Sequence, residues 1–240
     1  MATALITPGQ VKDLSSALVQ AIPTDLPSVT AQDWVGRKGN LIWKTEMILR
    51  GCDIIPPDIN WPLTYEKLGM GRELAVAEKK LVLPQFVNPT LWYARMVCGV
   101  TSNRVIAAYR EFKVNAYTYR DDLDADVTQN DRDPSKGSYI VGFRRTIEAD
   151  EEFADKSANQ LVEVNHRGIT LCERLVLGFG FFVTTGMHLD TRTWTLCAGS
   201  RYQVGAVPDV LWSSGPREVS VCWCSSDGAG SGIRSRSVVS

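Results

Sequence analysis

ITLCERLVLGFGFFVTTG, residues 169–186, decides how this chain is read. Thr170 followed by Glu173 is a capping box, in which the hydroxyl accepts from a first-turn amide and the carboxylate reaches back to the cap amide. Gly186 suits a left-handed C-cap. Between these signals Leu171, Leu175, Val176, Leu177, Phe179, Phe181, Phe182 and Val183 point in nearly every direction around a helix. Such a helix has to be covered on most sides. It carries Glu173 and Arg174 and falls short of the roughly 20 apolar residues that span a hydrocarbon core, so it reads as a buried core helix. Gly178 and Gly180 lower its propensity and predict that another element packs closely against it.

Working outward, the segment before the helix, EEFADKSANQLVEV (151–164), has the pattern of an amphipathic helix with Phe153, Leu161 and Val164 as apolar contacts. SYIVGFRRTIEA (138–149) reads as a strand with Tyr139, Val141 and Phe143 on one face. WYARMVCGV (92–100) and NRVIAAYREFKV (103–114) read as two strands or as a strand and a helix. GRELAVAEKKLVL (71–83) predicts a helix stopped by Pro84. Residues 23–71 mix prolines, glycines and Trp34, Trp43 and Trp61 without sustained period, which predicts loops and short strands packed through their aromatics. At the start, Thr7 as cap and Pro8 at the first helical position open a helix with Val11, Leu14, Leu18 and Ile22 near one face.

Bulk chemistry narrows the classes. Twenty-six basic against 27 acidic residues give a net charge of -1, with 44% hydrophobic and 22% charged residues across 240 positions. That balance supplies no bulk attraction to nucleic acid or to an anionic membrane. The N-terminus lacks the basic start and apolar run of a secretory signal, and no transmembrane segment is evident, so localisation is unknown, with the cytoplasm as default and display on a cell or virion surface as the other option. Six cysteines are scattered without a CxxC pair, and two histidines, His166 and His188, are too few and too distant for a familiar zinc pattern. No metal site and no cofactor are expected.

After the core helix the sequence changes character: WTLCAGSRYQVGAVPDVLWSSGPREVSVCWCSSDGAGSGIRSRSVVS (194–240) reads as short strands and turns. Val210 and Trp212 alternate with Asp209, Leu211 and Ser213. Across a turn holding Gly215 and Pro216, Val219, Val221 and Trp223 alternate with Ser220, Cys222 and Cys224. Paired as a hairpin, the first set predicts a face packed on the core helix and the second a face that follows no burial logic.

The stretch from Gly168 to Ser240 resembles the variable proteins of diversity-generating retroelements, of the archaeal and candidate-phylum kind with a C-type lectin fold. The residues that carry the resemblance are ITLCERL, TGMHLD, WTLCAGSRY, Gly205, Val207-Pro208, Val210, Trp212, Glu218-Val219, Val221, Trp223 and the closing IRSRSVVS, about the last third of the chain. In that family a reverse transcriptase misincorporates at template adenines, and AAC codons so diversified exclude Lys, Glu, Gln, Met and Trp. From Val204 to Ile233 the residues outside the permitted set are Trp212, Glu218 and Trp223, at scaffold positions of the family. Gln203 departs from the pattern, because AAC does not become a glutamine codon by changing adenines.

The resemblance implies an α+β, C-type-lectin-like fold over 101–240 with a variable region at about 203–233, joined to an N-terminal helical and loop-rich portion over 1–100. It implies scaffold roles for Gly199, Ser200, Arg201, Tyr202, Gly205, Val207, Pro208, Val210, Trp212, Val219, Val221, Trp223 and Arg234. The variable, solvent-facing contacts become Val204, Ala206, Asp209, Leu211, Ser213, Ser214, Pro216, Arg217, Ser220, Cys222, Cys224, Ser225, Asp227, Gly228, Gly230 and Ser231. The expected job is non-enzymatic, hypervariable binding of a protein or cell-surface ligand, with no nucleic acid, no membrane insertion and an open oligomeric state. Alternatives are an enzyme on a similar lectin-like scaffold, as in formylglycine-generating enzymes, and a viral structural or attachment protein.

Other chemistry is weaker. Asp122, Asp124, Asp126, Thr128, Asn130 and Asp133 have EF-hand-like spacing, but Val127 stands where glycine is required and Asp133 where the bidentate glutamate belongs, which favours a solvated acidic loop. Cys172 or Cys197 with His166 or His188 would need an orienting partner that the sequence does not show. Arg217, Arg234 and Arg236 make a thin phosphate footprint.

Overall fold

A computed structural model describes residues 7–22, 24, 28, 31–32, 45 and 56–239. The chain divides into two compact units, Met1–Arg50 and Gly51–Ser240. In the first, α1 (Pro8–Gln20) begins where expected, with the Thr7 hydroxyl and the Gln10 side chain forming a reciprocal cap. Pro27, Trp34 and Trp43 of the loop-rich expectation lie outside the described residues.

The second unit begins its regular structure with α2 (Trp61–Lys67) and α3 (Gly71–Glu78). Trp61 was expected in a loop or short strand, yet it opens a helix because the Asn60 carboxamide accepts from Leu63 N at 3.0 Å and Pro62 occupies the first turn. Helix α3 ends well short of Pro84. Strand β1 (Leu91–Met96) is followed by α4 (Ser102–Glu111), which resolves the 92–114 stretch into a strand and a helix. Next come β2 (Asn115–Thr118), the single turn α5 (Leu123–Asp126), β3 (Val127–Asn130) and β4 (Tyr139–Arg144). The acidic segment is therefore more ordered than a solvated loop. Asp122 caps α5, and the Asp124 carboxylate accepts from the Ser102 and Asn103 amides at the start of α4.

The helix expected over 151–164 is interrupted. Asp155 adopts φ 60°, and Ser157 with Gln160 caps a fresh helix, α6 (Ala158–Glu163). Then α7 (Leu171–Thr185) forms as the sequence predicts, with both capping-box hydrogen bonds and Gly186 in the left-handed region at φ 70°. Its glycines are contact points: a Cβ on Gly180 would stand 2.8 Å from Ile59 Cγ2, and one on Gly178 would strike the Arg174 guanidinium.

The remaining strands are β5 (Trp194–Leu196), β6 (Ser200–Tyr202), β7 (Val207–Ser213), β8 (Glu218–Cys224) and β9 (Ile233–Arg234). With β2, four of these form a five-stranded mixed sheet ordered β2-β8-β7-β5-β9, and the other strands make two antiparallel pairs, β1-β4 and β3-β6. The architecture is mixed α+β. The C-terminal segment turns back to bridge Val239 to Gly142 of β4, Ser235 to Asp150 and Ser237 to Gly168.

Helix α7 lies inside one core with Trp92, Tyr109, Phe143, Val210, Val219 and Val221. A second, smaller cluster of Ala158, Leu161, Leu196, Val207 and Ile233 sits apart from it. Two charge clusters tie the layers. Glu173 accepts from Thr170 N, Arg132 and Tyr139 at 2.7–2.9 Å. Asp190 pairs with Arg174 and Arg236, each at 2.7 Å, and takes the Thr195 hydroxyl. Burial alone would raise the Asp190 carboxyl, but Arg236 and Arg174 outweigh it and hold it below the ordinary carboxylate value.

No described helix is long and apolar enough to cross a membrane.

Candidate functional site: the outer face of the hairpin

The register of the hairpin decides which side chains face which way. Strands β7 and β8 pair with Asp209 opposite Cys222, Val210 opposite Val221, Leu211 opposite Ser220 and Trp212 opposite Val219. Because alternate residues point to opposite faces, Val210, Trp212, Val219 and Val221 share the inner face. The three valines are buried in the main core. Trp212 is half-buried and stacks on His188 with centroids 3.5 Å apart, and His188 in turn stacks on Phe182 of α7 at 4.9 Å. That column is how the hairpin is pinned to the core helix. Trp212 N also donates to Asp190 O at 2.9 Å, which joins the strand to the buried ion pairs.

Trp223 corrects the expectation that both tryptophans pack on the helix. It is 47% exposed and lies against Tyr119, 5.6 Å between centroids, because β8 has run past the edge of the core at that point.

The opposite, outer face holds Asp209, Leu211, Ser213, Glu218, Ser220, Cys222 and Cys224, with Val207 at its start. Neighbouring strands extend it. Tyr117 of β2 pairs with Ser220, and Leu196 of β5 pairs with Asp209; two residues along, the same register sets Trp194 beside Leu211. A row of Trp194, Leu211, Ser220 and Tyr117 thus crosses four strands, with Leu196, Asp209 and Cys222 in the next row. Trp194 and Tyr117 are exposed, and neither belongs to the sixteen expected contacts.

The sixteen expected contacts fall into distinct places. Val204, Ser214, Pro216, Arg217, Ser225, Asp227 and Ser231 are exposed; Leu211, Ser213, Cys222, Cys224, Gly228 and Gly230 are half-buried. Ala206, Asp209 and Ser220 are buried, which corrects their assignment as solvent-facing. Ala206 belongs to the main core. In the sheet Asp209 is flanked by Leu196 and Cys222, and Ser220 by Leu211 and Tyr117, and both are buried although their face is the outer one. At one end this face is also roofed by the smaller cluster, against which Cys224 packs. Seven-residue strands separate the turn at 214–217 from the loops at 203–206 and 225–231 by about 20 Å. The expected contacts therefore form two rims joined by the outer face, not one compact patch.

Local constraints differ among these positions. Arg217 adopts φ 54°, a region that side chains other than Gly, Asn and Asp enter reluctantly. A Cβ on Gly228 would collide with Cys224 Sγ and stand 3.0 Å from Ser225 Oγ, so positions 224 and 228 are coupled. Asp227 accepts from the Asn159 carboxamide, and Asn159 N donates to Ser226 O at 3.0 Å, which ties the 225–231 loop to α6.

Electrostatics single out Asp209. Burial raises its carboxyl from 3.8 to about 6, with no compensating charge or hydrogen bond. Burial, with the Asp209 and Glu218 charges, pushes the Cys222 thiol up to about 11, and Cys224 also rises through burial and Asp209. Thiols shifted this way are poor nucleophiles at neutral pH. Both are free, as are Cys98, Cys172 and Cys197.

The other candidates have structural employment. Burial raises the Cys172 thiol, against the lowering that a helix N-terminus would give. His166 contacts Ser235 Oγ at 2.9 Å through Nε2 and packs on Phe153, and burial drives it down to about 4. Arg236 is buried against Asp190, and Arg234 donates to Ala149 O, so neither joins Arg217 in a phosphate footprint. Among the described residues no group of three or more His, Cys, Asp or Glu side chains could hold a metal ion.

No protein family model, curated protein or solved structure matches this chain.

Proposed function

We propose that this chain is a non-enzymatic, hypervariable ligand-binding protein, diversified by a retroelement and built on a C-type-lectin-like scaffold. One observation carries the reading. Strands β7 and β8 send Val210, Val219 and Val221 into the main core, whereas Leu211, Ser213 and Cys222 stand on the other side with the turn and loop residues. A backbone pinned from one side tolerates exchange on the other, since surface substitutions usually change stability by no more than about 0.5 kcal/mol. The returning C-terminal segment, bridged to β4, supports the lectin-like part of the reading. The ligand is a protein or a cell-surface molecule, met by the outer face and its two rims.

Sequencing the locus tests this. A nearby reverse transcriptase and a template repeat are expected, with substitutions at template adenines falling on codons such as 204, 211, 213, 214, 225, 227 and 231. A locus without a repeat, or one whose variation falls equally on Val210, Trp212 and Val221, contradicts the proposal.

A further inference from the structure

The outer face holds an acid without a partner. Asp209 is 3% exposed, and no described residue donates a hydrogen bond to it or forms an ion pair with it. A buried carboxylate ordinarily has several donors or a cation, as Asp190 and Glu173 have here. The fully enclosed side-chain polar atoms that lack a partner among the described residues are Arg234 Nε and Arg236 Nε. The Asp209 oxygens, equally without a partner, therefore keep a narrow opening to solvent. Across β5 the diagonal neighbour of Asp209 is Trp194, 43% exposed, whose Cβ stands about 7–8 Å away in that register. Leu211 stands beside Trp194 in its row, and in the next row Asp209 lies between Leu196 and Cys222.

We propose that Asp209 and Trp194 form a subsite for an organic cation, the guanidinium or ammonium end of an Arg or Lys side chain on the ligand. The carboxylate supplies the charge and acceptor geometry, and the indole supplies a cation–π face beside it. Leu211 covers the aliphatic stem. Carboxylate burial is compensated when the cation arrives, so the bound state gains a partner that the free protein lacks. Trp194 lies outside the variable region, so the aromatic wall is fixed while the acid belongs to this copy; a copy with a neutral residue at 209 loses cation preference and keeps the wall. The subsite rests on the outer face being the ligand-binding one and specifies what it binds.

Titrating isotopically labelled full-length protein with butylguanidinium chloride, and separately with butylurea at matched ionic strength, reads the subsite by NMR. The expected result is a saturable shift of the Asp209 carboxyl carbon and the Trp194 indole resonance with butylguanidinium, and none with butylurea. Asp209→Asn, an isosteric change, abolishes saturation. Trp194→Ala weakens it by roughly 3- to 30-fold. No saturable shift, an equal response to butylurea, or binding that survives Asp209→Asn overturns the subsite. A null titration leaves the locus test of diversification standing, and a locus without a template repeat leaves the titration result untouched.

Discussion

Neutralising Asp209 should stabilise the protein, in a pH-dependent way. Its folded carboxyl titrates at about 6 rather than 3.8 because burial disfavours the charge. The folded state holds the proton more tightly than the unfolded chain does, so stability falls as pH rises from about 4 to 6 and levels off above that. With both states ionised, the cost is about 3 kcal/mol, a large fraction of a typical domain's stability. Asp209→Asn removes it. Urea unfolding of both proteins between pH 4.5 and 8 measures the effect, and following the difference with pH cancels the packing of the new amide. The gap should widen in favour of Asp209→Asn by about 2 kcal/mol across that range. A gap independent of pH, or one favouring the wild type at pH 8, would refute the claim that this carboxylate is buried and unpaired.

Asp190→Ala strips Arg174 and Arg236 of their shared buried partner and should cost about 3–5 kcal/mol, seen as a lowered urea midpoint. Phe179→Ala opens a cavity beside Tyr109 and Phe112 and should cost about 3–5 kcal/mol in the same assay. Gly228→Ala should destabilise through its collision with Cys224 Sγ, and adding Cys224→Gly should recover most of the loss; two independent, additive effects would show that the positions are uncoupled. Alkylation of Cys222 by iodoacetamide should be slow at pH 7 and accelerate towards pH 10, since its thiol titrates near 11.

Local rules carried the sequence reading where neighbours in sequence are neighbours in space. The capping box at Thr170 and Glu173, the Gly186 cap and the alternation of the hairpin are short-range patterns, and each stands in the structure. Other features were not legible. Strand β2 joins the sheet in parallel beside β8, a hundred residues away, so no local pattern places Tyr117 in the row with Ser220 and Leu211. Alternation gives the face of Asp209 and Ser220 but not their depth, which depends on the larger side chains around them. Trp223 has inner-face parity, yet it sits where the strand outruns the core, and parity says nothing about where a core ends. The buried Asp190 ion pairs and the small cluster under α6 likewise join distant segments. One signal could have found Trp194: it precedes Thr195 and Leu196 in the three-residue strand that borders β7, with the parity of Leu211.

The most direct test of the account is a pair of libraries in the same chain. One randomises Leu211, Ser213, Ser214, Ser225, Asp227 and Ser231; the other randomises Val210, Trp212, Val219 and Val221; the folded fraction of each is scored by protease resistance on display. The account predicts that most members of the first library stay folded and few of the second do. Equal losses in both would contradict the idea that one side of this hairpin is held so that the other is free to change.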